Sequence, residues 1–188
     1  MSLINDCLLS NGLNLTGCTK QNTGGVEEIY FANFKEVIPA GAASALYTYD
    51  DQTTGEITAI FTGATYYRFD CVKETSILAE TVAVNVQNST ISFAPNITLV
   101  INKMTTETRN LMYLLSLGRL IGVVKDNNGT YWMAGFKKGL DVTAVDNNTG
   151  TALGDRNGSV ITISGMEPVP MAALSAAAIA DLMDVAQY

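Results

Sequence analysis

The chain has no histidine, and no cluster among its 188 residues stands in for one. Histidine is the side chain whose ordinary pKa lies near neutrality, so its absence removes the commonest general base and metal ligand. The three cysteines, Cys7, Cys18 and Cys71, form no CxxC pair. An odd, widely spaced set reads as reduced thiols in a cytosolic compartment; Cys7 and Cys18 could pair, the commoner reading of each being a small buried hydrophobe. No Gly-rich loop ends in Lys followed by Ser or Thr, and Gly118 and Gly122 lie between a helix end and a strand, so no phosphate loop is framed.

Charge is scarce. Only 15% of residues are charged, against the quarter usual for a soluble domain, while 47% are hydrophobic. Two readings fit that imbalance: a surface partly covered by other subunits, or an ordinary Thr/Asn-rich surface that is polar but uncharged. Basic residues are scarcer still, 11 against 18 acidic for a net charge of −7, and the sole basic doublet is Lys137-Lys138. Tight nucleic-acid binding needs phosphate neutralisation, so this balance argues against it and suits a surface that nucleic acid passes without sticking. Long apolar runs are missing too. Leu111–Val124 is broken by Arg119, and Val169–Ala186 carries Asp181 and Asp184, so neither reaches the roughly 18 uncharged residues of a membrane span. Met1–Asp6 lacks the basic start of a signal peptide, which leads to the expectation of a protein made in the cytoplasm and not exported by a standard route.

What the chain does have is period-2 alternation. Ile57, Ala59 and Phe61 alternate with polar residues, as do Tyr67, Phe69 and Cys71. Leu78, Glu80, Val82, Val84 and Val86 share one strand face, and Asn88-Ser89 turns the chain into Ile91 and Phe93. After Pro95-Asn96 the alternation resumes through Ile97, Leu99 and Ile101. Val26–Phe34 is β-prone, and Leu120–Lys125 and Thr130–Gly135 form a hairpin about Asp126-Asn127-Asn128-Gly129. Asp146–Gly150 and Asp155–Gly158 punctuate the remainder before a last strand, Ser159–Ser164. Strands of this kind with one apolar face predict a mainly β (α+β) fold, an antiparallel sandwich or barrel.

The period changes once in mid-chain. Thr105 offers an N-cap, Glu107 suits the first turn, and Leu111, Leu114 and Leu115 make a stripe at helical spacing that predicts a helix near Thr106–Leu117 lying over an open sheet face. Gly118 ends it. A second, Ala-rich helix is expected in 171–188, where Ile179, Leu182, Met183 and Ala186 fall at i, i+3, i+4 and i+7. Pro168 and Pro170 set it apart, so it docks either on its own sheet or on a neighbour. The separation favours the neighbour, making Leu174, Ile179, Leu182 and Met183 candidate self-assembly residues. The expected organisation is an arm over 1–25, a β domain over 26–166 and a C-terminal arm and helix over 167–188.

Residues for chemistry are few. Adjacent strand residues point to opposite faces, so Glu27 and Glu28 are not expected to converge, and Asp50-Asp51 reads as turn chemistry before Thr53-Thr54-Gly55. The Asp/Asn/Gly clusters at 126–129, 146–150 and 155–158 carry hard oxygen donors, yet none has the spacing of a calcium loop, and tight turns account for all three. The expectation is no catalytic residue, no metal and no cofactor.

With strands, one short mid-chain helix, more strands and low charge, the chain resembles a virion structural protein of tailed bacteriophages, of the tail tube type. The stretches that carry the resemblance are Gly25–Asn33 (GVEEIYFAN), Ile121–Phe136 (IGVVKDNNGTYWMAGF) and Gly139–Ile163. The resemblance implies a hexameric ring whose strands join into an inner barrel, rings stacked into a tube through which double-stranded DNA passes, and contacts with other virion proteins. Glu36–Gly55 would be the loop between rings, and residues 1–25 and 171–188 the arms. Six copies at −7 each give −42 per ring, and such a lumen repels phosphate. The Ala-rich helix is not part of a minimal tube subunit and leaves a head–tail connector ring or a capsid-associated protein as related roles. A different class, a carbohydrate- or ligand-binding sandwich module, would use Tyr47, Tyr49, Tyr66, Tyr67 and Trp132 as stacking platforms; those rings also fit core and cross-strand pairing.

Overall fold

Alternation of apolar and polar residues does build sheets here, two of them packed face to face. The smaller is antiparallel throughout, and the larger is antiparallel except where Ala172–Leu174 meets Glu56–Ala59 and Ala186–Gln187 meets Tyr66–Asp70. The computed structural model describes residues 23–37, 47–50 and 54–187. In chain order the elements are β1 (Val26–Asn33), α1 (Phe34–Val37), β2 (Thr48–Asp50), β3 (Glu56–Ala59), β4 (Tyr66–Asp70), β5 (Ile77–Asn85), β6 (Thr90–Asn102) and α2 (Thr106–Leu117). There follow β7 (Leu120–Asp126), β8 (Tyr131–Ala134), β9 (Asp141–Asn148), β10 (Gly158–Ser164), β11 (Ala172–Leu174), α3 (Ala176–Val185) and β12 (Ala186–Gln187). The expected arm over 1–25 and the loop Glu36–Gly55 lie largely outside the described residues.

The larger sheet has the order β12-β4-β1-β7-β8-β11-β3-β2 and is curled; the smaller has the order β5-β6-β10-β9. The fold is thus mainly β, as expected. β1 at the centre is buried on both faces, which is why Ile29-Tyr30-Phe31-Ala32 reads as a continuous apolar run rather than an alternation. Ile29 and Phe31 pack with Ile97, Leu99, Ile161 and Ile163 of the small sheet. Tyr30 and Ala32 point the other way, into a second core with Ile57, Tyr66, Met133, Leu174, Ala178 and Leu182. Gly122 allows the close approach between sheets, since a Cβ there would stand 2.7 Å from the Ile97 Cδ1.

The tail requires a correction. It is not an arm separated from the monomer's core. β11 lies within the large sheet, antiparallel to β8 and parallel to β3, and β12 pairs parallel with β4. Leu174 and Leu182 are buried in the second core, Ile179 is half-buried against it, and only Met183 is substantially exposed. The prolines fail to separate because the connection is tied down at each step. The Gly165 N–H donates to the Pro95 carbonyl, Phe93 and Glu167 exchange backbone hydrogen bonds, and the Met171 N–H donates to the Glu80 carboxylate at 2.8 Å. Ser175 then caps α3 by accepting from the Ala178 N–H.

Pro95 does not interrupt β6, which runs unbroken from Thr90 to Asn102. Its carbonyl, and hence the side on which its N–H is missing, faces the β10 flank just where β10 has ended at Ser164. The Gly165 N–H still reaches the Pro95 carbonyl, so the proline forfeits a single bond, the one its own N–H would have made at the end of the ladder. Likewise β9 continues through Asp146-Asn147-Asn148, residues that read as a turn in isolation, because each is paired with β10. Helix α2 spans the expected residues, with the Thr105 and Thr108 side chains forming a reciprocal cap. It buries Met112 and Leu115, while Leu111 and Leu114 of the expected stripe stay exposed. Gly118 closes it in an extended conformation, φ −113°, without a left-handed turn.

Candidate self-assembly surfaces

Among the described residues the small sheet packs only one face. Cross-strand rows on its core side, Leu78–Ile97–Ile163–Val142 and Leu99–Ile161–Val145, meet the large sheet. The opposite face is formed by the alternate rows Ile77–Thr98–Thr162–Ala144 and Ala79–Asn96–Ser164–Asp141. These side chains are small or uncharged apart from one carboxylate, and the neighbouring row Val100–Val160–Asp146 adds a second. None of the rows contains Lys or Arg. β5 pairs only with β6 and β9 only with β10 among the described residues, so both edges offer unpaired backbone groups.

The β5–β6 hairpin is longer than the body that supports it. Beyond the Phe93–Glu167 bridge it continues through residues 83–92 on its own, turned by Asn85, whose Oδ1 accepts from the Gln87 and Asn88 N–H groups, and by Ser89 at φ +51°. Its alternation continues too, so the core-side face extends into solvent as Val82 (54% exposed), Val84 (64%) and Ile91 (54%). Thr81–Ser92 holds no charged residue. A second apolar surface lies on α2, where Tyr113 is 61% and Leu117 66% exposed. This helix stands beside β9, on the core side of the small sheet, over a recess of about 210 Å³ lined by Arg109, Met112, Tyr113, Ser116, Val145 and Asn147.

Of the candidate self-assembly residues, Leu174 and Leu182 are therefore withdrawn into the monomer, and Ile179 is half withdrawn. The surfaces that sequence reasoning missed, Val82, Val84, Ile91, Tyr113 and Leu117, were present as pattern. The signal was an apolar alternation that outruns the partner strands able to cover it.

The carboxylate pair also needs correcting. Glu27 and Glu28 do converge, on Lys125 Nζ, at 2.7 and 3.8 Å. A β-bulge between Val26 and Glu28 in the pairing with β7 breaks the strict alternation. Glu28 is nearly buried and also accepts from Arg68 at 2.7 Å and from the Tyr30 hydroxyl. Burial first, then that bond to Glu28, drives the Tyr30 pKa well above its ordinary value, and the hydrogen bond to Glu27 raises that of Lys125. Each charge in this cluster faces an opposite charge, which makes it a strut between β1, β4 and β7. Glu167, 2% exposed, is held by the N–H groups of Lys138 and Gly139, while burial pushes its pKa up. It ties the loop before β9 to the segment after β10.

The Asp/Asn/Gly clusters are turns. Asp126 accepts from the Asn128 and Thr130 N–H groups and from Trp132 Nε1, and Asp155 accepts from Thr151 and Ala152, which lowers its pKa. Among the described residues no three His, Cys, Asp or Glu side chains gather as metal ligands. Asp51, Cys7 and Cys18 lie outside those residues, and Cys71 is a free, partly buried thiol whose pKa burial raises. The tyrosines do not assemble into a stacking platform: Tyr66 is buried, Tyr47 and Tyr49 pack on Phe136 at 5.7 and 5.2 Å, and Tyr67 stands on another strand. Burial pushes Tyr47 up to about 12. No helix among the described residues is long and apolar enough to cross a membrane. The chain matches no protein-family model, no curated protein and no solved structure at a significant level.

Proposed function

We propose that this protein is a self-assembling structural subunit, of the phage tail tube type, whose copies close into a ring around a lumen that DNA traverses. The observation that carries the reading is the small sheet: four antiparallel strands with two open edges and one bare face free of Lys and Arg. Strand directions alternate across it, so β5 and β9 run opposite ways. A second copy set beside the first in the same orientation brings its β5 antiparallel to β9, and the sheet continues without a change of rule. Such a contact is heterologous and closes when the rotation between copies divides a full turn.

Six copies would give 24 strands, a barrel roughly 45–50 Å across at the backbone for strands about 4.8 Å apart and tilted about 40°. That leaves a lumen wider than a DNA duplex once side chains are added. The bare face, lined by Thr, Ser, Asn and Ala with Asp141 and Asp146, would be its wall. The rows themselves supply no cation, and Arg119, which reaches Asp141 at 3.5 Å, is committed to that carboxylate. The wall therefore offers phosphate few counterion-releasing contacts, and DNA slides rather than binds. The virion, assembled in the cytoplasm of a host cell, would be its location, and other virion proteins its further partners.

The test is to purify the chain and image it by electron microscopy, with light scattering in parallel. Rings or tubes with an open lumen, retaining no DNA at physiological salt, are expected. A monomer persisting at high micromolar concentration would overturn the reading. Introducing Thr98→Lys with Thr162→Lys should convert the same assemblies into salt-sensitive DNA binders.

A further inference from the structure

We infer that the projecting end of the β5–β6 hairpin seats its apolar face on α2 of the next copy, so that Val82, Val84 and Ile91 of one subunit cover Tyr113, Leu117 and Val145 of its neighbour. This rests on the ring reading above and names the side-chain contact that would hold the ring.

Three observations bring the two surfaces together. The first is their layer. Val82 and Val84 lie on the same face of the small sheet as Leu78, and Val145 lies on the same face as Ile161 and Leu99; both are on the core side, where α2 also stands. The second is their position. The hairpin belongs to the β5 edge and α2 flanks the β9 edge, opposite ends of one sheet. Head-to-tail repetition along the sheet therefore places the hairpin of one copy in the layer of α2 of the next. By the strand register Val82 pairs with Phe93 and Val84 with Ile91, whereas Val145 shares a row with Leu99, so the stagger between adjacent copies that closes the barrel has to supply an offset of six to eight residues.

The third is complementarity in size and charge. Each patch exposes on the order of 400 Å², the upper range of what a monomer leaves contiguous. Burying both supplies on the order of 800 Å² of a standard interface, whose total of about 1,200–2,000 Å² the paired strand edges complete. The hairpin segment Thr81–Ser92 carries no charge, so seating it on Tyr113 and Leu117 strands no ion. A second copy is the occupant that presents this hairpin in this layer and in this orientation without any other molecule being needed.

The experiment places a photo-reactive benzoylphenylalanine at Val84 of the full chain, mixes it with ¹⁵N-labelled unmodified chain and identifies cross-linked peptides by mass spectrometry. Cross-links between copies to peptides spanning Asn110–Arg119 are expected. In parallel, Val84→Asp and Leu117→Asp should each raise the protein concentration needed for assembly at least tenfold while the circular dichroism spectrum stays unchanged. If the protein assembles but Val84 cross-links to another hairpin, or both Asp variants assemble like the unmodified chain, this contact is wrong while the ring reading stands. If the unmodified chain stays monomeric, both fall.

Discussion

The two sheets solve the same problem in opposite ways. The large sheet is complete within the monomer: its curl wraps α3, its central strand is buried on both faces, and the tail adds β11 within it and β12 at one end. Among the described residues the small sheet is left open, with one bare face, two unpaired edges and a hairpin whose apolar side outruns its cover. A strand edge or apolar face left exposed is a liability unless something pairs with it. On the proposed reading stability resides in one sheet and association in the other, and substitutions in the two should separate these properties.

The largest effect belongs to the tail. Leu182, on α3, is fully buried against the large sheet, so Leu182→Ala should cost about 2–5 kcal/mol, read as a lower urea midpoint with unchanged slope. Deleting Met171–Tyr188 removes β11, α3 and β12 together and should leave no cooperative unfolding transition. A truncated chain that still unfolds cooperatively would show that the large sheet does not need its tail.

Next is the charge cluster joining β1, β4 and β7. Arg68→Ala leaves the nearly buried Glu28 with Lys125 at 3.8 Å and should cost about 1–3 kcal/mol. The pH dependence has a definite sign. The Lys125 pKa is raised in the fold, so its contribution is complete below its ordinary value of 10.5 and is lost as pH rises through the raised value. Tyr30, also raised, acts in the same direction. Unmodified protein should therefore lose stability above about pH 10.5, and Lys125→Met should lose less over that limb; equal slopes in thermal melts across pH would refute the coupling.

How much of this was legible without coordinates depends on whether the cause was local. The β character, α2 with its Thr105 cap and the hairpin about Asp126–Gly129 follow from periodicity and turn chemistry held within a few residues. What escaped was decided by distant partners. Asp146-Asn147-Asn148 is turn-like by itself and becomes strand because β10 pairs with it. Ala172-Ala173-Leu174 has little β propensity and becomes strand because β3 and β8 leave a gap between them. The bulge beside Glu28 comes from the register of β7, nearly 100 residues away. The surfaces proposed for assembly were half legible: the alternation at Val82, Val84 and Val86 was plain, but not that the body ends at Phe93.

A smaller effect, of opposite sign, is expected at Tyr66. Its ring fills the second core, yet among the described residues no partner reaches its hydroxyl, and burial drives its pKa well up. An unpaired buried hydroxyl costs about 1–3 kcal/mol, and phenylalanine keeps the ring. Tyr66→Phe should be neutral or stabilising by about 1 kcal/mol. Clear destabilisation in urea would mean that the hydroxyl has a partner.

The smallest effect applies one substitution to both sheets. Val→Thr preserves shape and adds a hydroxyl. At Val123, fully buried in the large sheet, that hydroxyl enters the second core and should cost about 1–3 kcal/mol. At Val84 the side chain is exposed in the monomer, so Val84→Thr should change stability by less than about 0.5 kcal/mol when unfolding is followed in dilute solution. The comparison sharpens as concentration rises. If the hairpin is covered by a neighbouring copy, the hydroxyl at Val84 is then buried as well, and the variant should melt below the unmodified protein by a margin that grows with concentration. A Val84→Thr penalty that is already present in dilute solution would mean that the hairpin packs within its own chain. The division between a closed sheet and an open one would then fail.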